Sequence, residues 1–135
     1  MKILRNILAV IGGWFFGSIV NIGIIELGPH VISTPPGFDN STMETMAATI
    51  HLLEPINYIT IFLAHGLGAL VGAFAAAYIA ATHKMIFSMV VGGLFLLGGI
   101  AAIFMLPSPT WYIIVDLVGA YLPMAWIGWK LAGGK

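Results

Sequence analysis

Four long apolar runs, each nearly free of charge, constrain this chain more than any other feature. They cover residues 3–27, 55–81, 85–106 and about 111–131. A helix needs about 20 apolar residues to cross the hydrocarbon core of a bilayer. Only 7% of the 135 residues are charged, where a water-solvated domain carries about 25%. Five acids and five bases cannot hydrate a surface of this size, so lipid is the expected solvent for most of it. The expected fold is all-α: one polytopic membrane domain, residues 1–135, with four transmembrane helices and a short interfacial amphipathic helix.

Met1, Lys2 and Arg5 ahead of an apolar run have the charge pattern of a secretory signal. The run is longer than a signal core and lacks an A-x-A-like site, so a retained helix is expected. Thr82-His83-Lys84 joins the second and third spans, and Pro107-Ser108-Pro109-Thr110 the third and fourth. Links this short make neighbouring helices antiparallel. The one long connection covers residues 28–54. Its first half is rich in turn formers; its second half opens with Ser41-Thr42-Met43-Glu44, the spacing of a capping box. Met43, Met46, Ala47, Ile50 and Leu53 then recur at helical spacing. A short amphipathic helix over 42–53, lying in the outer interface, is predicted. Asn40-Ser41-Thr42 also matches a glycosylation sequon, a pattern short enough to arise by chance.

All five basic residues, Lys2, Arg5, Lys84, Lys130 and Lys135, fall on one side of the four-span arrangement. The positive-inside rule therefore predicts cytoplasmic N- and C-termini in a cell inner (plasma) membrane. Trp111 and Tyr112 then sit at the outer interface and Trp129 at the inner one. Pro123 removes a backbone donor within the fourth span, which predicts a kink there.

Helix association in lipid depends on close backbone approach through small residues. The second span offers Ala64, Gly68, Gly72, Ala76 and Ala80 at every fourth position, with His65, Ala69, Ala73, Ala77 and Ala81 beside them. The first span offers Gly13, Gly17 and Asn21, and the third Ser88, Gly92 and Gly99. These stripes predict a tight bundle with little interior space. The string from Gly66 to Gly72 looks like a dinucleotide-binding glycine loop, but it lies mid-span without a preceding strand. No cofactor is expected. The absence of cysteine excludes disulfides and thiolate chemistry, and zero net charge gives no basic face for nucleic acid.

The polar residues of the spans gather toward the side predicted to face outward. Counting from that side, His65 is about 15 Å deep and Asp116 about 8 Å at 1.5 Å per residue. Asn21, Glu26, Asn57, His51 and Glu54 lie at similar or shallower levels. An ionised aspartate within a span costs about 2.5–3.5 kcal/mol at mid-helix, less near the interface, and calls for a partner or a cavity. Asp116, His65, Glu54, His51, Glu26, Asn57 and Asn21 are therefore the candidate polar, proton or ligand site. Plainer roles compete: Asp116 as a first-turn residue at the headgroups, Glu26 solvated, His65 bonded to a carbonyl. His51, Glu54 and His65 would share a face if one helix ran through Pro55, offering nitrogen and oxygen ligands to zinc or iron. A residue preceding proline is disfavoured in helix, which argues against that set.

The stretch from Phe62 to Phe74 with His83-Lys84-Met85, the segment from Met105 to Trp111, and Asp116 together resemble small four-helix bacterial membrane proteins. That resemblance implies a four-span topology and a bacterial inner membrane, and brings no activity with it. Three functions are compatible with the residues. The first is a small oligomeric transporter or channel-like protein with a polar site in the outer leaflet, its pathway formed between protomers of a homo-oligomer. The second is an accessory or assembly subunit of a larger membrane complex, and the third a membrane-embedded metal-binding protein. No nucleophile–base pair or phosphate loop favours an enzyme.

Overall fold

Prolines and glycines decide where this chain turns. The structure, a computed structural model, describes residues 1–134; Lys135, counted above among the basic residues, lies outside them. Helix α1 (Lys2–Leu27) ends in a 3-10 turn at Gly28–His30 containing Pro29, and a loop then leads to α2 (Met43–Thr49). Helix α3 (Pro55–Ile79) starts on its proline, and α4 (Lys84–Met105) follows a turn in which His83 takes the left-handed conformation, φ 49°. Helices α5 (Thr110–Gly119) and α6 (Leu122–Leu131) complete the chain. There is no strand among the described residues. Four helical spans, the last formed by α5 and α6 together, are long and apolar enough to cross a membrane.

Two local expectations need correction. The predicted amphipathic helix over 42–53 is shorter: α2 stops at Thr49, a 3-10 turn covers Ile50–Leu52, and Leu53 is extended. Its capping box lies one residue later than predicted, between Thr42 and Thr45. The Thr45 amide donates to Thr42 Oγ1 at 3.1 Å and the Thr42 amide to Thr45 Oγ1 at 3.2 Å. Ser41 lies one residue ahead of the cap, and its amide donates to Asp39 Oδ1 at 2.9 Å, which closes a turn before the helix. The side-chain and backbone hydrogen bonds from Ser41 hold the Asp39 carboxyl below its ordinary value. That turn is therefore supported at neutral pH and weakens as pH falls through the lowered value. The second correction concerns the fourth span, which is broken and not merely bent. Pro123 has no amide proton, and its ring crowds the carbonyl of Gly119, so the chain leaves helical geometry at Tyr121 (φ −111°, ψ −77°).

Helix α3 is the centre of the packing. Its stripe Ala64, Gly68, Gly72, Ala76 and Ala80 is wholly buried within the chain. Backbone meets backbone where α1 crosses it. A Cβ added at Gly13 would lie 2.6 Å from the Gly72 carbonyl oxygen, and one at Gly17 would lie 2.5 Å from that of Gly68. Gly128 of α6 lies against the Leu70 carbonyl in the same way, and Gly92 of α4 against Ala125. Leu70 itself, beside this contact, is half-buried. Ser88 Oγ donates to the Ala73 carbonyl at 2.9 Å and ties α4 to α3. At the end that carries the N-terminus, Lys84 Nζ donates to the carbonyls of Ala77 and Ala80, closing α3. The outward faces of α1, α4 and α5 carry exposed Ile7, Phe15, Leu97, Phe104, Ile114 and Val118, a surface suited to lipid.

Candidate functional site

The opposite end of the bundle carries the long loop and a buried polar cluster. Helices α3 and α5 both enter from this end, so their early turns lie side by side. Tyr112 and Asp116 are one turn apart on α5 and share a face. Asp116 is 5% exposed, and its carboxylate accepts from three donors. Tyr112 Oη donates to Oδ1 at 3.2 Å and Tyr121 Oη to Oδ2 at 2.9 Å. His65 Nδ1 lies 2.8 Å from Oδ1 and 3.0 Å from the Tyr121 hydroxyl. The depths inferred from residue counts differ for His65 and Asp116, yet the side chains meet at 2.8 Å, so counting residues from each helix start misjudged their relative levels.

The break before Pro123 builds this cluster. In an unbroken helix Tyr121 would point about 140° away from Asp116, five residues at 100° each. The non-helical backbone at Tyr121 swings its ring back over the carboxylate and stacks it on His65, with centroids 5.7 Å apart. The ring fits because α4 presents Gly99 there; a Cβ at Gly99 would lie 2.6 Å from Tyr121 Cζ.

Above the cluster is a cavity of about 310 Å³ inside the single chain. His65, Asp116 and Tyr112 lie at one end of it. Ile25 and Glu26 of α1, Phe38 of the loop, Met43 and Met46 of α2, Tyr58 of α3 and Ile103 of α4 also line it. The expectation of little interior space is therefore wrong at this end of the bundle. Small residues bring the helices together in the middle and at the N-terminal end, while the loop segment holds them apart here. Asn57 fixes that segment: its Nδ2 donates to the Ser33 carbonyl at 3.0 Å, and its Oδ1 accepts the Glu54 amide at 2.9 Å.

A carboxylate at Nδ1 holds the proton on that nitrogen. Nε2 has no hydrogen-bond partner among the described residues and remains open for a ligand. The imidazole can offer it a lone pair when neutral and a donor when protonated.

The predicted site residues separate into three groups. His65 and Asp116 are bonded to each other; Asn57 and Glu26 line the same cavity, Asn57 as a loop anchor and Glu26 exposed at its edge. Asn21 packs against Gly68, its Oδ1 buried without a partner, and does not line the cavity. His51 and Glu54 are exposed and outside it. Glu54 is the extended N-cap of α3, so no helix runs through Pro55, and the proposed set His51, Glu54 and His65 is not assembled. No three His, Asp or Glu among the described residues could hold a metal ion together. Two residues of the cluster, Tyr112 and Tyr121, escaped the sequence reading. The Tyr112–Asp116 spacing was a usable signal; Tyr121 depends on the helix break and had none.

No known protein family, curated protein or solved structure matches this chain.

Proposed function

We propose that this chain is a multi-pass membrane protein that binds a small amphipathic molecule in the loop-end cavity, beside the His65–Asp116 pair, as a transporter does. The observation that carries the reading is that buried pair lining a cavity of about 310 Å³. Ionisable groups within a span persist when they serve a ligand or ion path. Structural glue alone needs no cavity beside it.

Lys2, Arg5, Lys84 and Lys130 all lie at the end away from the cavity. By the positive-inside rule we take that end as cytoplasmic and the cavity as lying in the outer half of the plasma membrane. A homo-oligomer keeps the same site, because every lining residue comes from one chain.

Equilibrium binding to the purified chain tests the reading. A short amphiphile such as 4-phenylbutanol or 4-phenylbutylamine should bind saturably, one per chain. His65→Leu, which removes the polar ring from the cavity wall, should weaken binding. Absence of saturable binding by any such probe would shift the reading to an accessory subunit held in a larger complex.

A further inference from the structure

We infer that the cavity is built for a lipophilic organic cation, an amine with an apolar body; this rests on the binding reading above. The charges lining the cavity are of one sign. Glu26 and Asp116 contribute carboxylates, His65 an imidazole, and no lysine or arginine contributes a side chain. The whole molecule repeats this asymmetry. All five acids, Glu26, Asp39, Glu44, Glu54 and Asp116, lie in the loop-end half. The four described basic residues lie at the other end. A field of that form draws cations to the mouth and repels anions.

The walls suit the same ligand. Tyr58 and Tyr112 pack at 4.5 Å between centroids, and with Phe38 they line the space. Ring faces attract a desolvated ammonium, and the methionine and isoleucine walls take its apolar body. An anion of the same shape would meet Asp116 and Glu26 with no compensating charge.

The experiment compares three probes of one shape on the full purified chain: 4-phenylbutylamine, 4-phenylbutanol and 4-phenylbutyrate. Calorimetry at about pH 8 reads the affinities. The amine, protonated there, should bind about tenfold tighter than the alcohol, with the carboxylate weakest. Glu26→Gln, an exposed position that the fold does not depend on, should narrow the gap between amine and carboxylate. Equal affinities, or a preference for the alcohol or carboxylate, would overturn the cation inference while leaving ligand binding in place. Failure of all three to bind would remove both.

Discussion

His65 and Asp116 are 51 positions apart in the chain, and their side chains meet at 2.8 Å, Nδ1 to Oδ1. One lies on α3 and the other on α5, so this contact closes the bundle and also lines the cavity. Structure and site depend on the same pair, which calls for variants that separate the two roles.

Asp116→Ala should be strongly destabilising. It takes the shared acceptor away from the His65 ring nitrogen and two tyrosine hydroxyls in a buried region, and breaking a buried network by removing one partner costs about 3–5 kcal/mol. The double change His65→Leu with Asp116→Leu should cost less than the sum of its parts, because neither member of the pair is left facing the gap of the other, although the two tyrosine hydroxyls still lose their acceptor. Thermal unfolding in detergent supplies the four corners of that cycle. Strict additivity would mean the two side chains do not interact.

Neighbouring glycines of α4 give a matched pair. A Cβ at Gly99 would run into the Tyr121 ring, whereas a Cβ at Gly98 would meet nothing within 4 Å. Gly99→Ala should displace Tyr121 from Asp116 and lower the melting temperature. Gly98→Ala should be neutral or gain about 0.5–1 kcal/mol from helix propensity. Equal behaviour of the two would show that Tyr121 is free to move aside.

How much of this was readable in advance follows from the range over which each signal acts. The four spans are legible because lipid imposes one rule on every residue of a helix. The small-residue stripe of α3 is legible because a period of four survives without knowledge of the partner. Asp116 and His65 stood out by cost alone. Their partners did not: Tyr121 joins them only because Pro123 breaks the helix, and a break changes which residues share a face. The cavity was hidden for a related reason. It results from the loop segment anchored by Asn57 through Ser33, a contact across 24 positions with no periodic pattern.

The crossing of α1 and α3 should tolerate almost no added bulk. Gly13, Gly17, Gly68 and Gly72 bring carbonyls to where a side chain would begin. Leucine at Gly68 or Gly72 should abolish a monodisperse folded species, whereas alanine at Gly23, which meets nothing within 4 Å, should leave it intact. Size-exclusion profiles decide the matter. Leu63, 44% exposed on the same helix, should accept isoleucine or phenylalanine without loss.

Lys84 is expected to matter beyond its charge. Its Nζ lies 2.7 Å from the Ala77 carbonyl and 2.6 Å from that of Ala80, satisfying groups that the end of α3 leaves open. Lys84→Met should cost about 1–3 kcal/mol, and Lys84→Arg should recover part of it. If methionine matches the parent in thermal unfolding, those carbonyls find water instead.

Orientation in the membrane can be read from labelling, because the chain has no cysteine and any single introduced thiol reports its own side. Three exposed positions serve: Lys2, His83 and Asn40. Lys84 is left in place, since removing it would also remove the cap of α3. Three further described basic residues, Arg5, Lys84 and Lys130, remain at that end in the Lys2→Cys variant, so the charge asymmetry survives the substitution. An impermeant maleimide added to intact cells should label Asn40→Cys and leave Lys2→Cys and His83→Cys untouched until the cells are opened. Labelling of position 83 from outside, with position 40 protected, would invert the protein and face the cavity to the cytoplasm. Labelling of 40 and 83 from the same side would break the four-span arrangement, because α3 alone separates them.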